Sequence, residues 1–115
     1  MALQIFGTPR CQDTKKAQRF FKERGIVFQF IDLSDKGISP GELRSVAAAL
    51  GLENLADREG RRWKDRGLDH MEIDLEETLL ADPLLLRTPI VRDGKKAAVG
   101  PDLERWKEFS ASSRV

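Results

Sequence analysis

Residues 2–32, ALQIFGTPRCQDTKKAQRFFKERGIVFQFID, carry the periodicities of a strand, a helix and a strand in succession. The apolar run at residues 2–6 is ended by Gly7-Thr8-Pro9, so it reads as a buried strand entering a tight loop. Over residues 12–24, Ala17, Phe20 and Phe21 fall on one helical face among Lys15, Lys16, Gln18, Arg19, Lys22 and Glu23. Gly25 then stands where a helix-ending glycine belongs. Residues 26–31, IVFQFI, are β-branched and aromatic and predict a second strand. A strand, a crossover helix and a strand of these lengths imply a parallel, right-handed βαβ unit. Cys11 lies where the first strand hands over to the first turn of the helix.

The rest of the chain is read outward from that unit. Ser39-Pro40-Gly41-Glu42 offers a Ser N-cap, a Pro at the first helical position and a Glu at the third, ahead of Leu43, Val46, Ala47 and Leu50. Residues 52–86 contain no good strand; 61–66 and 74–81 have helical composition, with Asp74 and Glu77 spaced as a capping box. Asp82-Pro83 closes that segment. Residues 90–92, Asp93-Gly94 and residues 95–99 predict a hairpin, with Asp-Gly in a type I′ turn. Residues 102–109 predict a last helix and 110–115 a frayed end. The expected fold class is α/β, in the order β-α-β, helical insert at about 39–86, then β-β-α, with a mixed four-stranded sheet. Open sheets of this type place their sites where loops leave the carboxyl ends of parallel strands, and Cys11 occupies such a place.

The 115 residues suit one domain spanning 1–115. Hydrophobic residues make up 40% and charged residues 34%, a composition that buries a modest core under a solvated surface. The 20 Lys and Arg nearly balance the 19 Asp and Glu, so no global field draws the chain to nucleic acid or an anionic membrane. No apolar run reaches the roughly 20 residues that span a bilayer, and no leader pattern follows Met1. A cytoplasmic monomer is the expectation. The single cysteine rules out an internal disulfide and any metal centre built on paired cysteines; no bound metal or cofactor is expected.

A thiolate is an anion, and the free N–H groups and positive dipole at a helix N-terminus favour one. Such positions lower a cysteine pKa from about 8.5 to roughly 3.5–7.5, and Arg10, Lys15 and Lys16 push the same way if they point inward. Cys11 is therefore a candidate nucleophile, although a lone cysteine also serves as a small buried apolar group. Cys11-Gln12-Asp13-Thr14 lacks the second thiol of a Cys-x-x-Cys motif, so the arrangement is monothiol. A phosphatase-type loop needs an Arg six residues after the Cys, where Ala17 stands. His70, the one histidine, lies in a polar stretch that suits exposure better than pairing with a nucleophile.

Three segments together resemble the arsenate reductase family: Gly7-Thr8-Pro9-Arg10-Cys11 through Ala17, residues 63–68 ahead of a helix, and Leu85-Leu86-Arg87-Thr88-Pro89-Ile90-Val91 with Gly100 downstream. The likeness runs over roughly residues 2–109. It implies a glutaredoxin-like, thioredoxin-type fold in which Cys11 attacks an oxyanion or a disulfide and glutathione or glutaredoxin accepts the intermediate. It also implies that Pro89 follows a cis bond and faces the cysteine, and that the backbone of Thr88 pairs with a peptide or glutathione. Thr8, Arg10, Thr14, Lys15, Arg58, Arg87, Thr88 and Pro89 are then the candidate substrate-binding residues around catalytic Cys11.

The resemblance further implies three arginines holding the oxyanion, and there this chain departs from the pattern. The arginine expected directly before Pro89 is Thr88, with Arg87 one residue earlier, on the opposite face of an extended chain. The insert arginine falls at Arg58 or, without a gap, at Glu59. The one expected near Gly100-Pro101 has no counterpart unless Arg105 serves. Thiol exchange with glutathione or a protein thiol is therefore the leading expectation, with arsenate reduction as one alternative. A regulatory module resembling the family's RNA-polymerase-binding members is another, although those carry a Cys-x-x-Cys switch. The basic run Arg58, Arg61, Arg62, Lys64 and Arg66 reads as a solvated face over a buried Trp63 rather than a nucleic-acid surface, and Trp106, Leu103 and Phe109 read as core.

Overall fold

The computed structural model describes residues 3–113. Its strands are β1 (Leu3–Gly7), β2 (Phe28–Asp32), β3 (Ile90–Asp93) and β4 (Lys96–Val99), and its helices α1 (Gln12–Glu23), α2 (Pro40–Leu50), α3 (Arg61–Asp65), α4 (Leu75–Ala81) and α5 (Leu103–Ser113). The sheet runs β2-β1-β3-β4, with β1 parallel to β2 and the other pairs antiparallel. This is the mixed α/β sheet expected from the sequence. Between β2 and β3 the described chain is α2, α3 and α4 joined by short 3₁₀ turns.

Alternation along the strands divides the core into two layers. Leu3, Ile5, Val91 and Ala98 face α1 and α5, where they meet Ala17, Phe20, Phe21, Trp106 and Phe109. Phe6, Ile31, Ile90 and Ala97 face the other way, onto Leu43, Val46, Leu55, Trp63, Leu79 and Leu85. The helical segment between β2 and β3 thus supplies one whole side of the hydrophobic core. Trp63 is fully buried within it, and its indole N–H donates to Asp69 Oδ1 at 2.8 Å.

Local expectations held at some boundaries and failed at others. Ser39 accepts from the Glu42 N–H at 3.1 Å while Glu42 accepts from the Ser39 N–H at 3.0 Å, so the capping box is complete. At Asp74 only one half of the box forms, the Glu77 N–H donating to Asp74 Oδ1. Strand β2 begins at Phe28 rather than residue 26, because α1 ends in a Schellman turn. Gly25 has φ +68°, its N–H bonds Lys22 O, and the Ile26 N–H bonds Phe21 O. Val27 is left 82% exposed as a linker. The hairpin turn also differs. Asp93 pairs with Lys96, so Gly94 and Lys95 are the central residues, and only Gly94 has a positive φ. That is the pattern of a type II′ turn, in which glycine takes the first central position.

Helix α5 continues to Ser113 instead of fraying from residue 110, and Ser110 is buried; residues 114 and 115 of that expectation lie outside the described residues. Leu103 is 48% exposed, so of the three apolar residues assigned to the α5 core only Trp106 and Phe109 belong to it. The basic run is a paired surface: Arg62 and Arg66 both bond Asp82 at 2.8 Å, Arg61 pairs with Asp65 and Lys64 with Glu59. Burial alone would raise the Asp82 carboxyl, but its hydrogen bonds from Arg62 and Arg66 hold it below the usual carboxylate value. No described helix is long and apolar enough to cross a membrane.

Candidate active site around Cys11

The loop after β1 is closed by a turn, Thr8-Pro9-Arg10-Cys11, in which the Cys11 N–H donates to Thr8 O at 3.2 Å. Cys11 then occupies the N-cap of α1 with extended backbone, φ −77° and ψ 120°. This is where Ser, Thr or Asp ordinarily places an oxygen over the free N–H groups of the first turn. The half-buried sulfur takes that place. As a thiol it makes no cap hydrogen bond, but the N–H groups of Thr14 and Asp13 favour its anion.

Thr88 reaches Cys11 from across the sheet. The Thr88–Pro89 bond is cis, as the family resemblance implied. Thr88 Oγ1 donates to Cys11 Sγ at 3.1 Å, and the Thr88 carbonyl lies 3.9 Å from the same sulfur. Burial by itself would raise the Cys11 pKa. The hydroxyls of Thr14 and Thr88 and the backbone N–H groups of Thr14 and Asp13 outweigh it, and the thiol lies below the ordinary cysteine value. The agents are thus neutral donors: Arg10, Lys15 and Lys16, which would act the same way if they pointed inward, are not among them.

The remaining candidate residues divide between loop and periphery. Thr8 is half-buried and Arg10 exposed, and both line a cleft with Pro9, Ser34 and Leu84 beside the Cys11 loop. Pro89 is buried beneath Thr88. Lys15 is exposed, and its N–H donates to Cys11 O in the first helical bond of α1. Thr14 is completely buried, so its side chain is not a surface that substrate touches.

The arginines are engaged elsewhere. Arg58 bonds Glu53 Oε2 at 2.7 and 3.2 Å, lies 3.9 Å from Asp69 and stacks 4.7 Å from the Trp63 ring centroid. Arg87 donates its backbone N–H to Leu55 O at 2.7 Å, and its guanidinium reaches Asn54 O at 3.5 Å. This pairing flanks the Ala56–Leu86 bridge, and the guanidinium also lies against Gly100. Arg105 is braced against Ala97 O and Glu108. Among the described residues, no guanidinium or ammonium group hydrogen-bonds Cys11.

Two features escaped the sequence reading. The Thr88 side chain was expected to contribute through its backbone, whereas its hydroxyl touches the sulfur; the Thr-Pro order before a strand was the only available signal. Asp69, which ties Trp63 to Arg58, had no signal beyond its place near the tryptophan in sequence.

Comparison with known proteins agrees with this geometry. The ArsC family model matches residues 6–109. The arsenate reductase of Neisseria meningitidis is 34% identical over 108 residues, covering 89% of this chain and 92% of its own. The global transcriptional regulator Spx 2 of Oceanobacillus iheyensis is 27% identical over 114 residues, covering 95% and 84%. Among solved structures, the arsenate reductase from Vibrio cholerae superposes with a TM-score of 0.81 at 22% identity, covering 95% of this chain and 98% of that one. With a family match over most of its length and a thioredoxin-like sheet presenting one cysteine at the head of α1, this chain belongs to the ArsC family.

Proposed function

We propose that the protein is a thiol oxidoreductase in which the Cys11 thiolate exchanges with the disulfide of glutathione or of a protein. One observation supports this most: a sulfur stabilised as an anion by neutral donors, Thr88 Oγ1 at 3.1 Å among them, at the position where an oxyanion-binding family member needs a cation. In the reaction the thiolate attacks one sulfur of the disulfide, a new S–S bond forms to Cys11, and the other sulfur leaves with the electron pair as a thiolate. A second thiolate then attacks the mixed disulfide and Cys11 departs reduced. The chain has no second cysteine, so the resolving thiol comes from another molecule.

Thiolate chemistry needs no more than this. Reduction of arsenate additionally needs cations arranged around its oxygens, and Arg58, Arg87 and Arg105 are held by other partners. Iodoacetamide alkylation followed against pH is the direct test of the nucleophile. The rate should show a midpoint below that of a free cysteine, about 8.5. A midpoint at or above it would remove the nucleophile and favour a non-catalytic interaction module, in keeping with the similarity to transcriptional regulators.

A further inference from the structure

We propose that Thr14 is a positioning residue for the Cys11 sulfur, holding a hydroxyl behind it that is satisfied only when the sulfur is anionic. The proposal deepens the thiol-exchange reading and rests on it for the substrate, but its geometry is independent. Thr14 is 0% exposed, and its Oγ1 has no hydrogen-bond partner among the described residues. Threonine within a helix ordinarily turns such a hydroxyl onto a carbonyl one turn back, and Thr14 does not. Nor can the side chain turn freely, because it packs directly on Gly7 at the end of β1. A Cβ at Gly7 would overlap both the Thr14 hydroxyl and its methyl. The missing side chain of Gly7 is the space that Thr14 fills.

Thr14 is also the third residue of α1, counted from Cys11 as N-cap. Its backbone N–H is therefore directed at the N-cap side chain, and its hydroxyl is among the groups that hold the Cys11 thiol below its ordinary value. A buried hydroxyl without an acceptor costs stability. A thiol is a weak acceptor and a thiolate a strong one, so ionisation of Cys11 is the event that satisfies Thr14 Oγ1. Thr88 and Thr14 then donate from two directions, Thr88 from the half-exposed side and Thr14 from the buried side. An incoming disulfide displaces or competes with Thr88; it cannot reach Thr14. Thr14 thus serves both halves of the exchange. It stabilises the attacking thiolate, and it stabilises the same sulfur as the leaving group when the mixed disulfide is resolved, where a better-stabilised thiolate leaves faster.

Thr14→Val and Thr14→Ser separate this role from a structural one. At pH 7, Thr14→Val should be alkylated by iodoacetamide about tenfold more slowly, with the alkylation midpoint moved to higher pH. Release of glutathione from its Cys11 adduct by added dithiothreitol should slow as well. Thr14→Ser, which keeps the hydroxyl, should restore the midpoint. In acid, where the sulfur is protonated, Thr14→Val should melt at the same temperature as the parent or higher, since it removes an unsatisfied buried hydroxyl. An unchanged midpoint in folded Thr14→Val, or a midpoint that Thr14→Ser fails to restore, would overturn the proposal. If the midpoint responds but oxidised glutathione forms no adduct on the parent protein, Thr14 positions the sulfur and the glutathione reading is what fails.

Discussion

Thr88→Arg is expected to raise arsenite formation from arsenate and glutathione by roughly tenfold to a hundredfold over the parent protein, the range a charged hydrogen bond supplies. Position 88 touches the sulfur directly, Oγ1 to Sγ at 3.1 Å, so a guanidinium there lies against any oxyanion bound for attack. Its fork matches two oxygens at once. Thiol alkylation should not suffer, because a cation beside Cys11 favours the thiolate as well as the threonine hydroxyl does. Coupled arsenite detection and iodoacetamide kinetics on the same preparations separate the two effects. Unchanged arsenite formation with alkylation intact would mean that the oxyanion requires the additional arginines, which bond Glu53, Asn54 and Ala97 in this fold.

The largest expected effect on stability is at Trp63. Trp63→Ala should cost about 3–5 kcal/mol in denaturant-induced unfolding. The indole is fully buried in the core layer shared by α2, α4 and the sheet, and it donates to Asp69 at 2.8 Å. Its removal opens a large cavity, leaves Asp69 without that donor, and takes away the surface on which Arg58 stacks. The helical segment between β2 and β3 should therefore unfold together with the sheet. A loss under about 1 kcal/mol would mean that this segment packs as a removable cover instead.

Most of the fold was legible because its signals are local. The period of Ala17, Phe20 and Phe21, the Ser39 to Glu42 cap and the apolar strands each determine one element without reference to distant residues. What stayed hidden depends on contacts across the chain. Strand β2 starts late because Ile26 bonds back to Phe21, and Leu103 is exposed because the sheet is covered by Trp106 and Phe109 instead. The hairpin type turned on a register, Asp93 opposite Lys96, that a dipeptide signal leaves open.

The site shows the same division. Cys11 could be found from order and spacing, and Pro89 through the family resemblance. Which side chains stabilise the sulfur could not, since Thr88 is 77 residues away in sequence. Proximity in sequence pointed to Arg10, Lys15 and Lys16, yet residues next to a helix-capping cysteine project outward while the backbone N–H groups turn in. Thr14 stood out as the absent second thiol of a dithiol motif and, through the family resemblance, as a substrate contact; it is instead fully buried against Gly7.

We propose that Cys11 serves thiol exchange rather than oxyanion reduction. Intact mass after incubation with oxidised glutathione, run beside arsenite detection after incubation with arsenate, glutathione and glutaredoxin, distinguishes the two. One glutathione adduct is expected, absent in Cys11→Ser and reversed by added thiol, with little arsenite from the parent protein. Abundant arsenite from the unmodified protein, or no adduct on Cys11, would contradict it.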